Sequence, residues 1–277
     1  YDEFTRQLKK NNGSTTIEFR KKMAIYTFKT ISEYDLKISD WLNGIKRKKS
    51  KKELINLKYG ENPNQTASYN KNINQKSIFE KIINNQNLSY NNILDINSGM
   101  HCIKEFSEPS CVIIKHTNPC GVASSTNIKL AYVNALKCDP ISAFGGIAIF
   151  NRTIDGSLSK SLFKKYLNIV CAPQFTKDAL NILKKKKNLI IVSTKNIHLN
   201  KNETSFVLGG IIKQEVNNAK IVKKNIIAVN KFNINNSLTN DLLFALKVCK
   251  HVKSNAIVIV KNKRTLGIGA GQMSRID

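Results

Sequence analysis

The chain has 277 residues, 41% of them hydrophobic, which is enough for one large domain or two small ones with a real core. Its net charge of +26 invites nucleic acid, yet 39 of the 45 basic residues are Lys and only 6 are Arg; base reading favours the two-point Arg fork, so the charge reads as drift toward Lys, Asn and Ile rather than as a nucleic-acid surface. No run approaches the roughly 20 apolar residues needed to span a bilayer, and the start, Tyr1-Asp2-Glu3-Phe4, lacks a charged-then-apolar leader, so the expectation is a cytoplasmic protein with no membrane contact.

Residues 14–42 read as a helix. Thr15 followed by Glu18 is a capping-box pattern. Phe19, Met23, Tyr26, Ile31, Tyr34, Ile38 and Trp41 then recur near helical period, and Gly44 is placed to end the run. A Lys-rich stretch follows, and residues 44–56 read as a linker. Beyond it, short apolar runs alternate with amphipathic ones. Strands are expected at Val112–Ile114, Ile147–Phe150, Ile169–Ala172, Leu189–Val192, Phe206–Ile212 and Ala256–Val260. Helices are expected near 91–106, 127–137, 158–167, 176–186 and 238–252. The alternation predicts an α/β fold with helices covering a sheet. At the end, Gly267-Ile268-Gly269-Ala270-Gly271 reads as a glycine-rich turn leading into a helix. Domains seldom stop there, so the chain is expected to be a piece of a longer protein.

Four segments carry chemistry. Leu57-Lys58-Tyr59-Gly60-Glu61-Asn62-Pro63-Asn64-Gln65 is polar and turn-prone, and is equally a plain surface turn. In Cys111-Val112-Ile113-Ile114-Lys115-His116-Thr117-Asn118-Pro119-Cys120-Gly121, an apolar strand delivers Lys and His together at its C-terminal end, where open α/β sheets place ligands. A Pro-Gly turn follows. Histidine titrates near neutrality and suits proton acceptance, and an adjacent ammonium favours its neutral form. Asp139-Pro140-Ile141-Ser142-Ala143-Phe144-Gly145-Gly146 offers glycines beside an aromatic ring; alone it is a tight turn before a strand. Finally, Ser254-Asn255 and the closing glycine run with Arg275 suit phosphate, although the run lacks the ending of a P-loop and the full dinucleotide fingerprint. The six cysteines never form Cys-x-x-Cys and read as reduced and structural, with no metal set in view.

In this order and spacing, the four segments closely resemble the bifunctional purine-biosynthesis family that joins a 5-aminoimidazole-4-carboxamide ribonucleotide (AICAR) formyltransferase to an inosinate (IMP) cyclohydrolase. Lys115-His116-Thr117-Asn118-Pro119-Cys120-Gly121 and Gly267-Ile268-Gly269-Ala270-Gly271-Gln272-Met273-Ser274-Arg275 carry the likeness, which covers essentially the whole chain. It implies that residues 1–43 are the helical tail of a cyclohydrolase domain. Residues 57–277 would then be an incomplete transformylase domain of cytidine-deaminase-like α/β fold without that fold's zinc, in keeping with the missing His-x-Glu and Cys-x-x-Cys. The activity implied is formyl transfer from 10-formyltetrahydrofolate to the 5-amino group of AICAR. The product, FAICAR, would be cyclised to IMP by the parent enzyme. The likeness further implies a homodimer with transformylase sites at the subunit interface.

By matching motif, His116 would accept the amine proton, and Lys115 would orient it and stabilise charge on the formyl oxygen. Lys58, Tyr59, Gly145, Asn255 and Arg275 would hold the ribonucleotide, and Ile276 would touch the folate. Lys58 stands where relatives carry Arg, and cannot make the planar two-point phosphate contact. Asn168 stands at an acidic ligand position of relatives. Two other readings remain: a basic nucleic-acid module, which lacks an interleaved aromatic stripe, and a zinc-type deaminase on the same fold, which lacks the ligands.

Overall fold

A computed structural model describes residues 2–44, 52–72, 77–84, 86–229 and 234–274. The chain divides into two units, Tyr1–Lys51 and Lys52–Asp277.

The first unit holds helices α1 (Asp2–Lys10) and α2 (Ile17–Leu42). Phe4 lies 6.2 Å from Phe19, and Lys22 meets Glu3 at 2.8 Å. The cap differs from expectation. Thr16, not Thr15, accepts from the Phe19 N–H at 3.2 Å. Glu18 is thereby one position too early to close a capping box, and the Thr15 carbonyl instead takes a bond from Arg20. Gly44 does follow the helix, at φ +65°. Within this unit most of the periodic stripe, including Tyr26, Tyr34 and Trp41, is exposed. Helix α1 had no counterpart among the expected elements.

In the second unit, β1 (Lys52–Asn56) pairs antiparallel with β2 (Ser68–Asn72), so the second half of the expected linker is a strand; residues 45–51 lie outside the described ones. A seven-stranded mixed sheet follows. Helix α3 (Tyr90–Ile103) leads to β3 (Ser110–Lys115) and β4 (Asn118–Ser124), then α4 (Ile128–Leu136), β5 (Ile147–Phe150) and α5 (Gly156–Phe163). Next come β6 (Ile169–Ala172), α6 (Lys177–Leu183), β7 (Ile190–Ser193), the exposed hairpin of β8 (Asn202–Val207) and β9 (Gly210–Glu215), α7 (Asn236–Cys249), β10 (Ile257–Lys261) and β11 (Arg264–Gly269). The helices start where short polar side chains cap them: Ser89, Asn127, Asp155, Thr176 and Asn235 each accept from a first-turn N–H.

The sheet order is β10-β11-β4-β3-β5-β6-β7. The β5, β6 and β7 strands are parallel to one another, while β3 is antiparallel to both of its neighbours. Alternate residues of each central strand feed two cores. Cys111, Ile113, Ala148, Phe150 and Val170 join α4, α5 and α6 residues on one face; Val112, Ile114, Ile147, Ile149 and Ile169 join α3 and α7 residues on the other. Burial on both faces explains why these strands read as unbroken apolar runs. The expected strands at 147–150 and 169–172 have those bounds, and 189–192 begins one residue later.

Three expectations need correction. The run 206–212 is two strands, because Leu208 (φ +48°) and Gly209 (φ +75°) reverse the chain. Asn118-Pro119-Cys120-Gly121 is not a turn but the start of β4, admitted through a bulge at Ile113/Ile114. Leu266–Gly269 is the end of β11, not a glycine turn opening a helix. No described helix is long and apolar enough to cross a membrane.

Gly121 sets how closely β4 packs on α4: a Cβ there would lie 2.1 Å from the Ala135 carbonyl oxygen. That neighbour is helix backbone and cannot step aside. Gly121→Ala is therefore expected to cost about 2–3 kcal/mol, read as a lower urea midpoint at unchanged slope. An unmoved midpoint would mean the two elements do not approach this closely.

Candidate active site

Strand β3 ends at Lys115, which pairs with Asn118 across a two-residue turn. Both turn residues, His116 (φ +51°) and Thr117 (φ +63°), are left-handed. This is the geometry that hairpins favour and usually fill with Asn-Gly. With side chains at both positions the turn carries strain of about 1–2 kcal/mol per residue. Helix α3 braces it. Asp95 Oδ1 accepts from the Thr117 N–H at 2.6 Å, and Ser98 Oγ donates to the Thr117 carbonyl at 2.6 Å. Burial pushes the Asp95 carboxyl up, against the opposing pull of the Thr117 N–H and of His116.

The Lys115 and His116 pair opens on a cleft of about 560 Å³, within the range of small-molecule sites. Its other walls include Cys120, Cys138, Asp139, Ser142, Gly267 and Ile268. Lys115 Nζ donates to the Phe144 carbonyl at 2.8 Å, which fixes the ammonium over the Asp139–Gly146 turn. In that turn the Ser142 hydroxyl and N–H hold the Asp139 carboxyl below its ordinary range, with Lys115 adding a smaller pull. The His116 ring is exposed at the rim, free to meet a ligand.

Register explains why distant segments meet here. Because β3 is antiparallel to β5, its C-terminal end lies beside the start of β5, and through the parallel pairing beside the start of β6. Gly145 and Asn168 therefore flank Lys115. Gly145 is left-handed at φ +70°, its N–H donates to the Tyr166 carbonyl at 3.0 Å, and a Cβ there would sit 3.9 Å from the Asn168 amide nitrogen. Phe144 stacks on Tyr166 at 4.7 Å. At the cleft β3 and β11 present their C-terminal ends, with Lys115, Gly267 and Ile268, whereas Gly145 and Asn168 precede the N-terminal ends of β5 and β6, because the sheet is mixed.

Asn255 reaches the same edge on the far side. Its loop is zipped to the glycine run, with Asn255 Nδ2 on the Gln272 carbonyl at 3.0 Å and the Gly271 N–H on the Lys253 carbonyl at 2.9 Å. The Lys253 N–H in turn donates to Asn118 Oδ1 at 3.0 Å. Gly145, Asn168 and Asn255 lie near the cleft without lining it, and Lys58 and Tyr59 do not line it either; these two sit in a loop whose Glu61 carbonyl is held by Asn91 at 3.0 Å, with Lys58 Nζ 5.9 Å from the Tyr59 ring centroid. Arg275 and Ile276 lie outside the described residues. Asp139, Ser142, Asp95 and Ser98 join the predicted residues around the turn and cleft. The first two announce themselves as an Asp-to-Ser turn; the latter two leave no local signal.

All six cysteines are free thiols, and burial pushes Cys120 up to about 12. Among the described residues no group of three or more His, Cys, Asp or Glu is placed to hold a metal ion.

A family model described as the AICARFT/IMPCHase bienzyme matches residues 1–277. The bifunctional purine biosynthesis protein PurH of Prochlorococcus marinus (strain AS9601) is 38% identical over 295 aligned residues, covering 100% of this chain and 57% of the relative. The protein of the same name from Caldicellulosiruptor saccharolyticus is 42% identical, over 96% of this chain and 55% of the relative. That of Clostridium botulinum (strain 657 / Type Ba4) is 39% identical, over 100% and 56%. The chain thus spans little more than half the length of the curated relatives it matches.

The Asp139 turn gives a pH prediction. A carboxyl whose value is lowered on folding lends stability that is complete above its unfolded value and is lost as pH falls through the folded one. The turn should therefore hold down to about pH 4 and loosen below it. Carbon NMR of the Asp139 carboxyl should give a midpoint below 3.8, moving upward in Ser142→Ala. A wild-type midpoint above that value would remove Ser142 as the cause.

Proposed function

The chain belongs to the AICARFT/IMPCHase bienzyme family, and from that premise we propose that its second unit catalyses formyl transfer from 10-formyltetrahydrofolate to the 5-amino group of AICAR. The observation that carries this is the Lys115-His116 pair at the tip of a braced hairpin, opening on a cleft of ligand size. The amine is a weak nucleophile because its lone pair is delocalised into the imidazole ring. As its nitrogen bonds to the formyl carbon, the His116 imidazole takes the proton. The Lys115 ammonium, held over the Asp139–Gly146 turn, faces the negative charge growing on the formyl oxygen. The bond from formyl carbon to folate nitrogen then breaks, and that nitrogen takes a proton from the His116 imidazolium. The amine loses one proton and the leaving nitrogen gains one, so the enzyme ends unchanged.

Gly145, Asn168 and Asn255 share the cleft's edge of the sheet and hold the ribonucleotide, together with Lys58, Tyr59 and Arg275; Ile276 contacts the folate. Residues 1–43 are the tail of the cyclohydrolase domain, consistent with the division of the chain at Lys51/Lys52. The second unit is cytidine-deaminase-like, a reading supported by its mixed sheet with helices on both faces. In the whole protein the FAICAR product is cyclised to IMP. The protein is cytoplasmic and works as a homodimer; the exposed apolar side chains Phe206, Leu208, Ile211 and Ile212 suit burial against a second copy. Neither a nucleic-acid module nor a zinc-type deaminase gains support from any of these observations.

In the full-length enzyme, His116→Ala should lower formyl-transfer kcat by about 10²- to 10⁴-fold, the usual contribution of a positioned general base. AICAR binding should stay within about tenfold, since one neutral hydrogen bond is worth roughly 1 kcal/mol, and cyclohydrolase activity should persist. A raised KM at unchanged kcat would make His116 a binding residue. Lys58→Arg should leave KM for AICAR unchanged or lower it, because it supplies the two-point fork; a higher KM would take Lys58 away from the phosphate.

A further inference from the structure

Two hairpins in the sheet reverse through a pair of left-handed, non-glycine residues: His116-Thr117 between β3 and β4, and Asn262-Lys263 between β10 and β11. Both are gripped by a carboxylate from a helix. Asp241 of α7 accepts from the Asn262 and Lys263 N–H groups at 2.8 and 2.7 Å, as Asp95 of α3 accepts from Thr117. The two turns lie at opposite ends of the sheet, and only the first borders the cleft. A carboxylate is a strong acceptor for backbone N–H groups, and a left-handed pair aims its N–H groups to one side. The grip at the first turn is doubled by Ser98, three residues along the same helix, which donates to the Thr117 carbonyl.

We propose that Asp95, seconded by Ser98, is a positioning residue for formyl transfer: it holds the strained turn that aims His116 into the cleft, without touching substrate. The inference rests on the reading of His116 as proton acceptor. Three features of the site favour it. The Asp95 carboxyl is half-buried and burial opposes its charged form, an opposition that the Thr117 N–H and His116 reduce without cancelling. The bond falls on the residue adjoining His116, where a change of backbone angle swings the imidazole directly. The helix that carries Asp95 is itself fixed on the sheet, since a Cβ on Gly99 would lie 2.3 Å from Ile149 Cδ1 and 2.8 Å from Ile114 Cγ1, leaving α3 little room to shift.

The test is steady-state kinetics of the full-length enzyme with both substrates varied, the far-UV circular dichroism and urea midpoint of each variant serving as the measure of intact folding. Asp95→Ala should lower formyl-transfer kcat by about 10- to 100-fold, the penalty typical of a catalytic group misplaced by an ångström, with KM for AICAR little changed. Asp95→Asn, which keeps an acceptor for the Thr117 N–H, should recover most of the loss. So should Thr117→Gly in the Asp95→Ala background, because glycine adopts the left-handed turn unaided. Asp241→Ala removes the equivalent grip at the remote turn and should leave kcat unchanged. If Asp95→Ala does not fold, Ser98→Ala carries the same readings, with a loss of about 3- to 10-fold expected for one hydrogen bond. Unchanged kcat in the folded variants, or an equal loss in Asp241→Ala, would overturn the proposal. If instead His116→Ala itself retains full kcat, it is the assignment of His116 that fails.

Discussion

The direction of β3 relative to its neighbours governs the layout of this molecule. It is antiparallel to β4 on one side and to β5 on the other, while β5, β6 and β7 run parallel. Its C-terminal end is therefore the point where an outgoing strand meets the starts of two incoming ones. Lys115 lies there with Gly145 and Asn168 on one flank, and Asn118, the ends of β11 and the Asn255 loop on the other. In an all-parallel sheet the turns before β5 and β6 would lie at the opposite end from Lys115. The mixed order gathers them at one edge.

Close packing on both faces keeps that edge in place. The central strands are buried on each side, and each face is covered by helices that approach closely. Gly121 brings β4 against the α4 backbone, and Gly99 brings α3 against Ile114 and Ile149. These contacts are steric, and therefore rigid. They let α3 act as a fixed arm for the His116-Thr117 turn, whose left-handed backbone would otherwise relax. Hairpin tips are ordinarily the loosest part of a sheet; here bonds from Asp95, Ser98 and Asn118 restrain the His116-Thr117 turn.

The charge of the chain plays a smaller part than its size suggests. At the cleft the balance is local, with Lys115 tied to a backbone carbonyl and Asp139 to Ser142. Elsewhere lysines are exposed, as are Lys184 and Lys185 in the turn that follows α6. Ion pairs such as Lys22–Glu3 are exposed and contribute little.

What was legible in the sequence is what short-range physics dictates. Runs such as Ile147–Phe150 and Ile169–Ala172 announce buried strands, whereas the one cap read from the sequence, Thr15, falls a residue short of the true cap at Thr16. The strands β1, β2, β4 and β11 went unread because they carry proline, glycine or polar residues and become strands only by pairing. Leu208-Gly209 hid a hairpin inside one apolar run for the converse reason: hydrophobicity does not record a reversal of direction. Asp95 and Ser98 carry no motif; they matter because α3 packs beside a turn 22 and 19 residues away in sequence. The sequence by itself determined the family, the alternation of helix and strand, and which residues carry reactive groups. Only the tertiary structure decided which of them meet, because strand direction and register are set by long-range pairing, and these choose which end of each strand faces the cleft.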